Sequence, residues 1–348
     1  MGLEIAERQA SWVYVVPVSG LALTSAVHEE YTVGRVTFLT VRKLSRVRRR
    51  MGLPLRVSGM RRRGHWEQLQ DGGQVVAVVR RTGKPKEIDI DVQRLVTESL
   101  QILAVSQLGF SRRRRNAFPA IDGPRTLRTS HLCIDDQTGD GMMSAQLRGK
   151  LGDLVLEQGW VNHQKRVFFW EMMKMLRGEL SATDSWREIL RRVAVLVGQS
   201  QTSNDLAHAF LLNVIAVETL LAVQGDRYLD ALPERVEAFI GWVGYWRTGD
   251  YENRIKDVYR KRCQYVHRGD ASAVEITDLL FLDEIVLNVL MNIVAHPTLF
   301  KSKEDVISFA SKVSAERVLG ITGRQCKVRP RTLRTVVPKY SDEDLRRI

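Results

Sequence analysis

The sequence predicts an α+β protein, with a strand-rich basic N-terminal domain followed by an all-α helical bundle. Three observations carry that prediction. The first half holds runs of β-branched and aromatic residues bounded by Gly and Pro, which is the composition of strands. From about residue 160 the apolar residues recur at helical spacing, between capping residues and helix-ending glycines. The length, 348 residues with 44% hydrophobic content, exceeds one compact unit and suffices for a sizeable core. The division that follows is 1–158 for the strand-rich domain, 159–180 for a connecting helix, 181–318 for the bundle and 319–348 for a basic C-terminal arm.

In chain order, VYVVPVSGLAL (13–23) and VGRVTFLTVR (33–42) read as strands, and QVVAVVRRTGKPKEIDID (74–91) as a strand, a Gly-Lys-Pro turn and a second strand. A helix is expected over 90–107, because Val92, Leu95, Val96, Leu100, Leu103 and Ala104 fall on one stripe that can pack across a sheet. VNHQKRVFFWEMMKMLRG then reads as the connecting helix. Ser181, Thr183 or Asp184 caps WREILRRVAVLVGQ, and Ser203 or Asn204 caps DLAHAFLLNVIAVETLLAVQG, which ends at Gly225. That segment is apolar nearly all round and is expected at the centre of the bundle. Pro233 suits the first turn of PERVEAFIGWVGYW; NRIKDVYRKRCQYVH, EITDLLFLDEIVLNVLMNIVAH and KEDVISFASKVS complete the helices. Beyond Gly320 the chain is basic and interrupted by Pro330 and Pro338, as an extended arm would be.

The formal charge is +13, with 40 arginines against 13 lysines, so forked donors suited to phosphate oxygens predominate. Three cysteines, Cys133, Cys263 and Cys326, lack CxxC spacing, which argues against a disulfide framework and a four-ligand zinc site. No secretory leader and no long uninterrupted apolar run is evident, so a cytoplasmic protein is expected. Arginine clusters at Arg48 to Arg50, at Arg61, Arg62 and Arg63, and at Arg112, Arg113, Arg114 and Arg115 fit loops or helix ends. The last two are candidates for a nucleic-acid-binding surface, with Trp66 and Phe118 close enough in sequence to stack on bases; a solubilising or subunit-contact face is the alternative.

The chemistry-bearing stretch is YRKRCQYVHRGD, residues 259–270. Ile255, Val258, Tyr259 and Val266 set the side of its helix that faces the bundle. Arg262 and His267 are five residues apart, about 140° around an ideal helix, so in one chain they converge only where the helix ends or frays. Arg260 shares the face of His267 more closely. By spacing alone, His267 just before Gly269 reads first as a dipole-stabilising cap among cationic neighbours.

The surroundings add a resemblance. The order of AFLLNVIAVETLL, a spacer helix, YRKRCQYVHRG and a long apolar helix resembles the HEPN superfamily (higher eukaryotes and prokaryotes nucleotide-binding), and most its ApeA-like branch, with a glutamate-bearing helix and an Arg-x4-His motif. The likeness covers 186–296, and VVPVSGLAL is loosely similar to the β-rich domain that often precedes this module. What it implies is a homodimer of four- or five-helix bundles that brings two Arg-x4-His motifs to one cleft. It also implies metal-independent endoribonuclease activity on RNA without a cofactor, often in phage defence or toxin systems. Carried over by position, Arg262 and His267 are the catalytic residues and Glu218 matches the helix glutamate. Cys263 departs from the Asn, Asp or His that many active members have after the arginine.

The chemistry is coherent with those residues. Histidine titrates closest to neutrality and could accept a proton from a ribose 2′-OH or give one to the departing 5′-oxygen. Arg262 could hold the scissile phosphate. Glu218, mid-helix between Val214, Val217 and Leu221, needs a cationic partner such as Arg262 or Arg260, and orients the arginine rather than moving protons. His131 and Cys133 have no second ligand pair, DGGQ and TGDGMM lack phosphate-loop spacing, and Trp242, Tyr245 and Trp246 suit a core or dimer interface. The rival reading is a catalytically silent bundle that binds nucleic acid or regulates a partner. A DNA-binding regulator has only the charge in its favour.

Overall fold

A computed structural model describes residues 10–53, 75–122, 128–134, 141–147, 152–240, 250–321 and 325–337. The fold is α+β, and among the described residues the strands lie in the N-terminal half and the later chain is helical. In chain order the strands are β1 (Ala10–Ser19), β2 (Leu21–Leu23), β3 (Glu30–Val33), β4 (Val36–Thr40), β5 (Val75–Gly83), β6 (Ala120–Ile121), β7 (Arg128–Ile134), β8 (Gly141–Leu147) and β9 (Leu154–Leu156). An antiparallel sheet runs in the order β3-β4-β5-β1-β6; β2 pairs in parallel with β9, and β7 with β8 in an antiparallel hairpin.

The two-residue period of a strand sorts the side chains of this sheet onto two cores. On β5, Val75, Ala77 and Val79 face the main core, while Val76 and Val78 face a smaller one. The pairing preserves the sorting, since Val16 opposes Ala77 and Val15 opposes Val78. Helix α1 (Val41–Val47) closes the smaller core with Val41 and Leu44, and Thr40 caps it by accepting from the Lys43 amide at 3.0 Å. The apolar run 13–23 divides at Gly20, whose φ is +71°; a Cβ there would lie 2.4 Å from the Phe118 carbonyl oxygen.

Helix α2 (Pro85–Ala104) corrects one expectation. Residues 87–91, read as a second strand, are its first turns, with Pro85 at the helix start where its missing N–H is not needed. The predicted stripe holds: Val92, Val96, Leu100, Leu103 and Ala104 are buried, whereas Ile90, from the misread alternation, is 75% exposed. The connecting helix is likewise two helices, α3 (Gln158–Arg166) and α4 (Phe169–Leu176), broken so that both Phe168 and Phe169 enter the core.

Helices α5 (Asp184–Thr202), α6 (Leu206–Leu221), α7 (Tyr228–Ile240), α8 (Asp250–Arg268), α9 (Ile276–Ala295) and α10 (Lys303–Val318) form the bundle. Thr183 caps α5 as expected, but Asp205 rather than Ser203 or Asn204 caps α6, accepting from the His208 amide at 2.9 Å. The deepest helix is α9, buried without interruption from Asp278 to Val294, rather than α6. No helix among the described residues is long and apolar enough to cross a membrane.

The strand-rich half and the bundle share one core, which passes from Val18 through Leu100 to Val197 and Leu290 across the expected boundary. Gly198 lets α5 and α2 touch backbone to backbone: a Cβ there would lie 1.9 Å from the Gln101 carbonyl oxygen. Arg113 pins the same seam and overturns its assignment to a nucleic-acid surface, being 6% exposed. Its Nε and Nη2 donate to Asp283 Oδ2 and Oδ1 at 2.7 and 2.8 Å, and Nη2 also to Ser200 Oγ at 2.8 Å. Gln201 and Asn213 each donate to Asp283 Oδ1 at 2.8 Å. The physical reason is that a buried guanidinium and a buried carboxylate are tolerable only when each satisfies the other.

The basic arm, residues 325–337, lies extended against α9. Asn288 accepts from the Val336 amide at 2.7 Å and donates to the Val336 carbonyl at 2.8 Å. Asn292 does the same with Arg334, at 2.9 and 2.8 Å. His296, a further turn along, donates from Nδ1 to the Asn292 carbonyl at 2.9 Å, which leaves Nε2 to accept from the Thr332 hydroxyl at 2.8 Å. The i, i+4, i+8 spacing on the helix thus matches every second residue of an extended chain, about 6 Å against 6.6 Å per step. Replacing both Asn288 and Asn292 with alanine is expected to release the arm, at about 1 kcal/mol for each of the four bonds lost. Hydrogen exchange at the Arg334 and Val336 amides checks this; unchanged protection would show that something else holds them.

Candidate active site

Helix α8 owes its orientation to an apolar side and two polar ties. Tyr251, Ile255 and Val258 are buried in the bundle. Lys261 binds Asp257 at 3.1 Å and Asp278, at the start of α9, at 2.9 Å. Gly269, with φ +69°, ends the helix, and its amide donates to the Tyr265 carbonyl at 2.9 Å. Gln264 donates to Asp270 at 2.8 Å and so ties the following turn to the helix.

Arg262 faces inward to Glu218 on α6, as the sequence reading expected of that glutamate. Nη2 donates to Oε2 at 3.3 Å, and Nε lies 3.2 Å from Oε1 as an ion contact without hydrogen-bond alignment. Nη1 has no protein partner among the described residues. The guanidinium sits 5.6 Å from the centre of the Tyr259 ring, which stacks on Tyr228 at 5.4 Å. Tyr259, three residues before Arg262 and so on its face, was legible as core only; Tyr228 has no local signal at all. Burial first, and then Cys263, pushes the Tyr259 phenol up to about 12 against the pull of Arg262, so it stays protonated as a donor.

His267 lies in the last turn of α8, exposed and without a partner among the described residues. Arg260 is exposed too, while Cys263 is half-buried. Because α8 stays helical through Arg268, the 140° offset expected of a regular helix stands, and the Arg262 and His267 of one chain serve different sides. Val223 and Leu229 are exposed apolar side chains, and so is Val266, which corrects its expected place on the side of α8 that faces the bundle: it lies in the last turn, beyond the buried Ile255 and Val258.

Burial raises the Glu218 carboxyl above its ordinary range, and Arg262 pulls it part of the way back. A raised folded-state pKa favours folding below the unfolded value and loses that contribution as pH rises through the folded one. Arg262→Gln is therefore expected to move the Glu218 midpoint further up, and to destabilise the protein more at pH 8 than at pH 5. Carboxyl NMR titration and urea unfolding at the two pH values check it; a pH-independent loss would deny the charge coupling.

The other candidate residues scatter. Arg112 and Arg115 are exposed beside buried Arg113, Arg114 lies in the same short turn, and Phe118 is 42% exposed. Arg50 pairs with Glu30, and Arg49 is exposed. Arg61, Arg62, Arg63, Trp66, Trp242, Tyr245 and Trp246 lie outside the described residues. No protein-family model matches the chain, and neither a curated protein nor a solved structure matches it.

Proposed function

We propose that the chain is a metal-independent endoribonuclease that works as a homodimer, with Arg262 and His267 of two copies around one RNA strand. The observation that carries the reading is the state of the motif arginine: Glu218 orients it through Nε and Nη2, and Nη1 is left for a phosphate oxygen. The likeness of YRKRCQYVHRG to the HEPN motif supports it, as do exposed His267 and the apolar residues Val223, Leu229 and Val266, which a symmetric contact would cover.

In the proposed reaction one imidazole takes the proton of the ribose 2′-OH, and that oxygen attacks the adjacent phosphorus. The bond from phosphorus to the 5′-oxygen breaks, the leaving oxygen gains a proton from the second imidazole, and a 2′,3′-cyclic phosphate and a 5′-hydroxyl result. Arg262 offsets the charge that grows on the non-bridging oxygens. DNA, lacking the 2′-OH, is inert. A ribonuclease of this kind would act on cytoplasmic RNA in phage defence or as a toxin.

Cys263, where many active members of the resembled family carry Asn, Asp or His after the motif arginine, favours a second reading, a silent bundle that binds nucleic acid or regulates a partner. Incubating the purified chain with single-stranded RNA in EDTA separates the two. The expected result is cleavage with cyclic-phosphate ends by a species that sediments as a dimer. Intact RNA at every protein concentration, or a strict monomer at micromolar concentration, would leave only the second.

A further inference from the structure

A concavity lined by no residue of α8 lies in the strand-rich half and on α4. Between the turn before β3, helix α1 and helix α4 is a cleft of about 500 Å³. That volume is in the range of small-molecule sites and far larger than a bare phosphate needs. It is lined by Lys43, Arg50 and Arg177, by His28, Tyr31 and Trp170, and by Glu30, whose carboxylate Arg50 already holds. Cations and flat rings around one cavity are what a ligand with an anionic group and an aromatic ring requires.

The cations are placed rather than merely near. Arg50 is tied to Glu30, and Arg177 donates to Glu179 through Nε and Nη2, the latter at 3.2 Å, so both guanidinium groups are oriented yet keep further donors. Lys43 makes no ion pair among the described residues, although its backbone is fixed by the Thr40 cap. The rings are held as well. Tyr31 meets Trp160 edge-on at 5.6 Å, and Trp160 donates to Ser106 Oγ at 2.9 Å in the core. Burial raises the Tyr31 phenol far above its usual range, with Arg177 opposing, so the group stays protonated. Trp170 carries the Lys165 ammonium 5.5 Å from its ring centre, which adds a further positive charge beside the platform.

The turn that brings His28 to this cleft is unusual. His28 and Glu29 have φ of 56° and 58°, the positive-φ non-glycine residues among those described. Their amides donate to the Ser25 and Thr24 carbonyls at 2.9 Å each, and Thr24 Oγ1 donates to the Leu156 carbonyl at 2.8 Å. Two consecutive residues in this sparsely populated conformation persist because the surroundings hold them, as happens at ligand sites.

We infer that this cleft binds a mononucleotide, with its phosphate among Lys43, Arg50 and Arg177 and its base against Trp170. The inference does not rest on the ribonuclease reading. Isothermal titration calorimetry of the full chain with each of the four nucleoside monophosphates, with adenosine and with inorganic phosphate tests it. At least one nucleotide is expected to bind at one site per chain, about tenfold or more tighter than phosphate or the nucleoside. Lys43→Gln, Arg177→Gln and Trp170→Leu are each expected to weaken it about tenfold or more, the size of one charge-assisted or stacking contact, at an unchanged melting temperature. Lys43→Gln keeps the test decisive if Trp170→Leu fails to fold, because its ammonium pairs with nothing described in the protein. His267→Ala is expected to leave the binding unchanged. Absence of heat with all four nucleotides at millimolar concentration, equal affinity for phosphate, unaltered binding by Lys43→Gln, or loss of binding in His267→Ala would each overturn the inference.

Discussion

Replacing Asp283 with alanine is expected to lower the unfolding free energy by about 3–5 kcal/mol, the cost of leaving a buried charge without its partner. Arg113 would keep its place at 6% exposure with two of its donors unmatched, and Gln201 and Asn213 would lose the carboxylate oxygen that both use. Urea unfolding measures the loss as a fall in the midpoint. The double variant Arg113→Met with Asp283→Leu is expected to recover part of it, because it removes the stranded charge while the amides of Gln201 and Asn213 stay unmatched. Equal losses in the single and double variants would mean that the seam depends on shape and not on the ion pair. Arg115→Gln, on an exposed residue of the same turn, is the control.

His267→Ala is expected to reduce RNA cleavage by about a hundredfold to ten-thousandfold, the usual worth of a general acid or base. Its melting temperature should match that of the unaltered protein, since the side chain is exposed and no described residue bonds to it. Arg262→Ala differs in a way that separates the two roles: it removes activity and also strands half-buried Glu218, so stability falls with it. Mixing His267→Ala with unaltered chains is the more searching measurement. A cleft that uses the imidazoles of both copies predicts that mixed dimers lose activity, so that cleavage falls faster than the share of unaltered chain; a fall in simple proportion would count against a shared site.

Much of the helical half was legible because its signals are local. Thr183 lies three residues before Trp186, and Gly269 and the spacing of Ile255 and Val258 mark α8 from neighbouring residues alone, whereas Pro233, expected in the first turn, lies inside α7, which already begins at Tyr228. Glu218 could be paired with a cation in advance, since an acid in an apolar helix has few ways to be tolerated. The misread span 87–91 shows where local reading fails. Glu-Ile-Asp-Ile-Asp alternates like a strand, yet Pro85 starts a helix there whose buried stripe, from Val92 onward, decides its state.

Arg112 and Arg113 mark the division most plainly. Charge, composition, the order of strands before helices and the Arg262 to His267 spacing are properties of neighbours along the chain, and the sequence determines them unaided. Which of two adjacent arginines meets solvent and which meets a carboxylate 170 residues away is decided only in three dimensions. The same holds for the amides of Asn288 and Asn292 against the arm, and for Lys43, Arg177 and Trp170 around one cleft. Desolvation is the reason: a polar side chain leaves water only where another group replaces its hydrogen bonds, and chain folding, not proximity in sequence, brings that group.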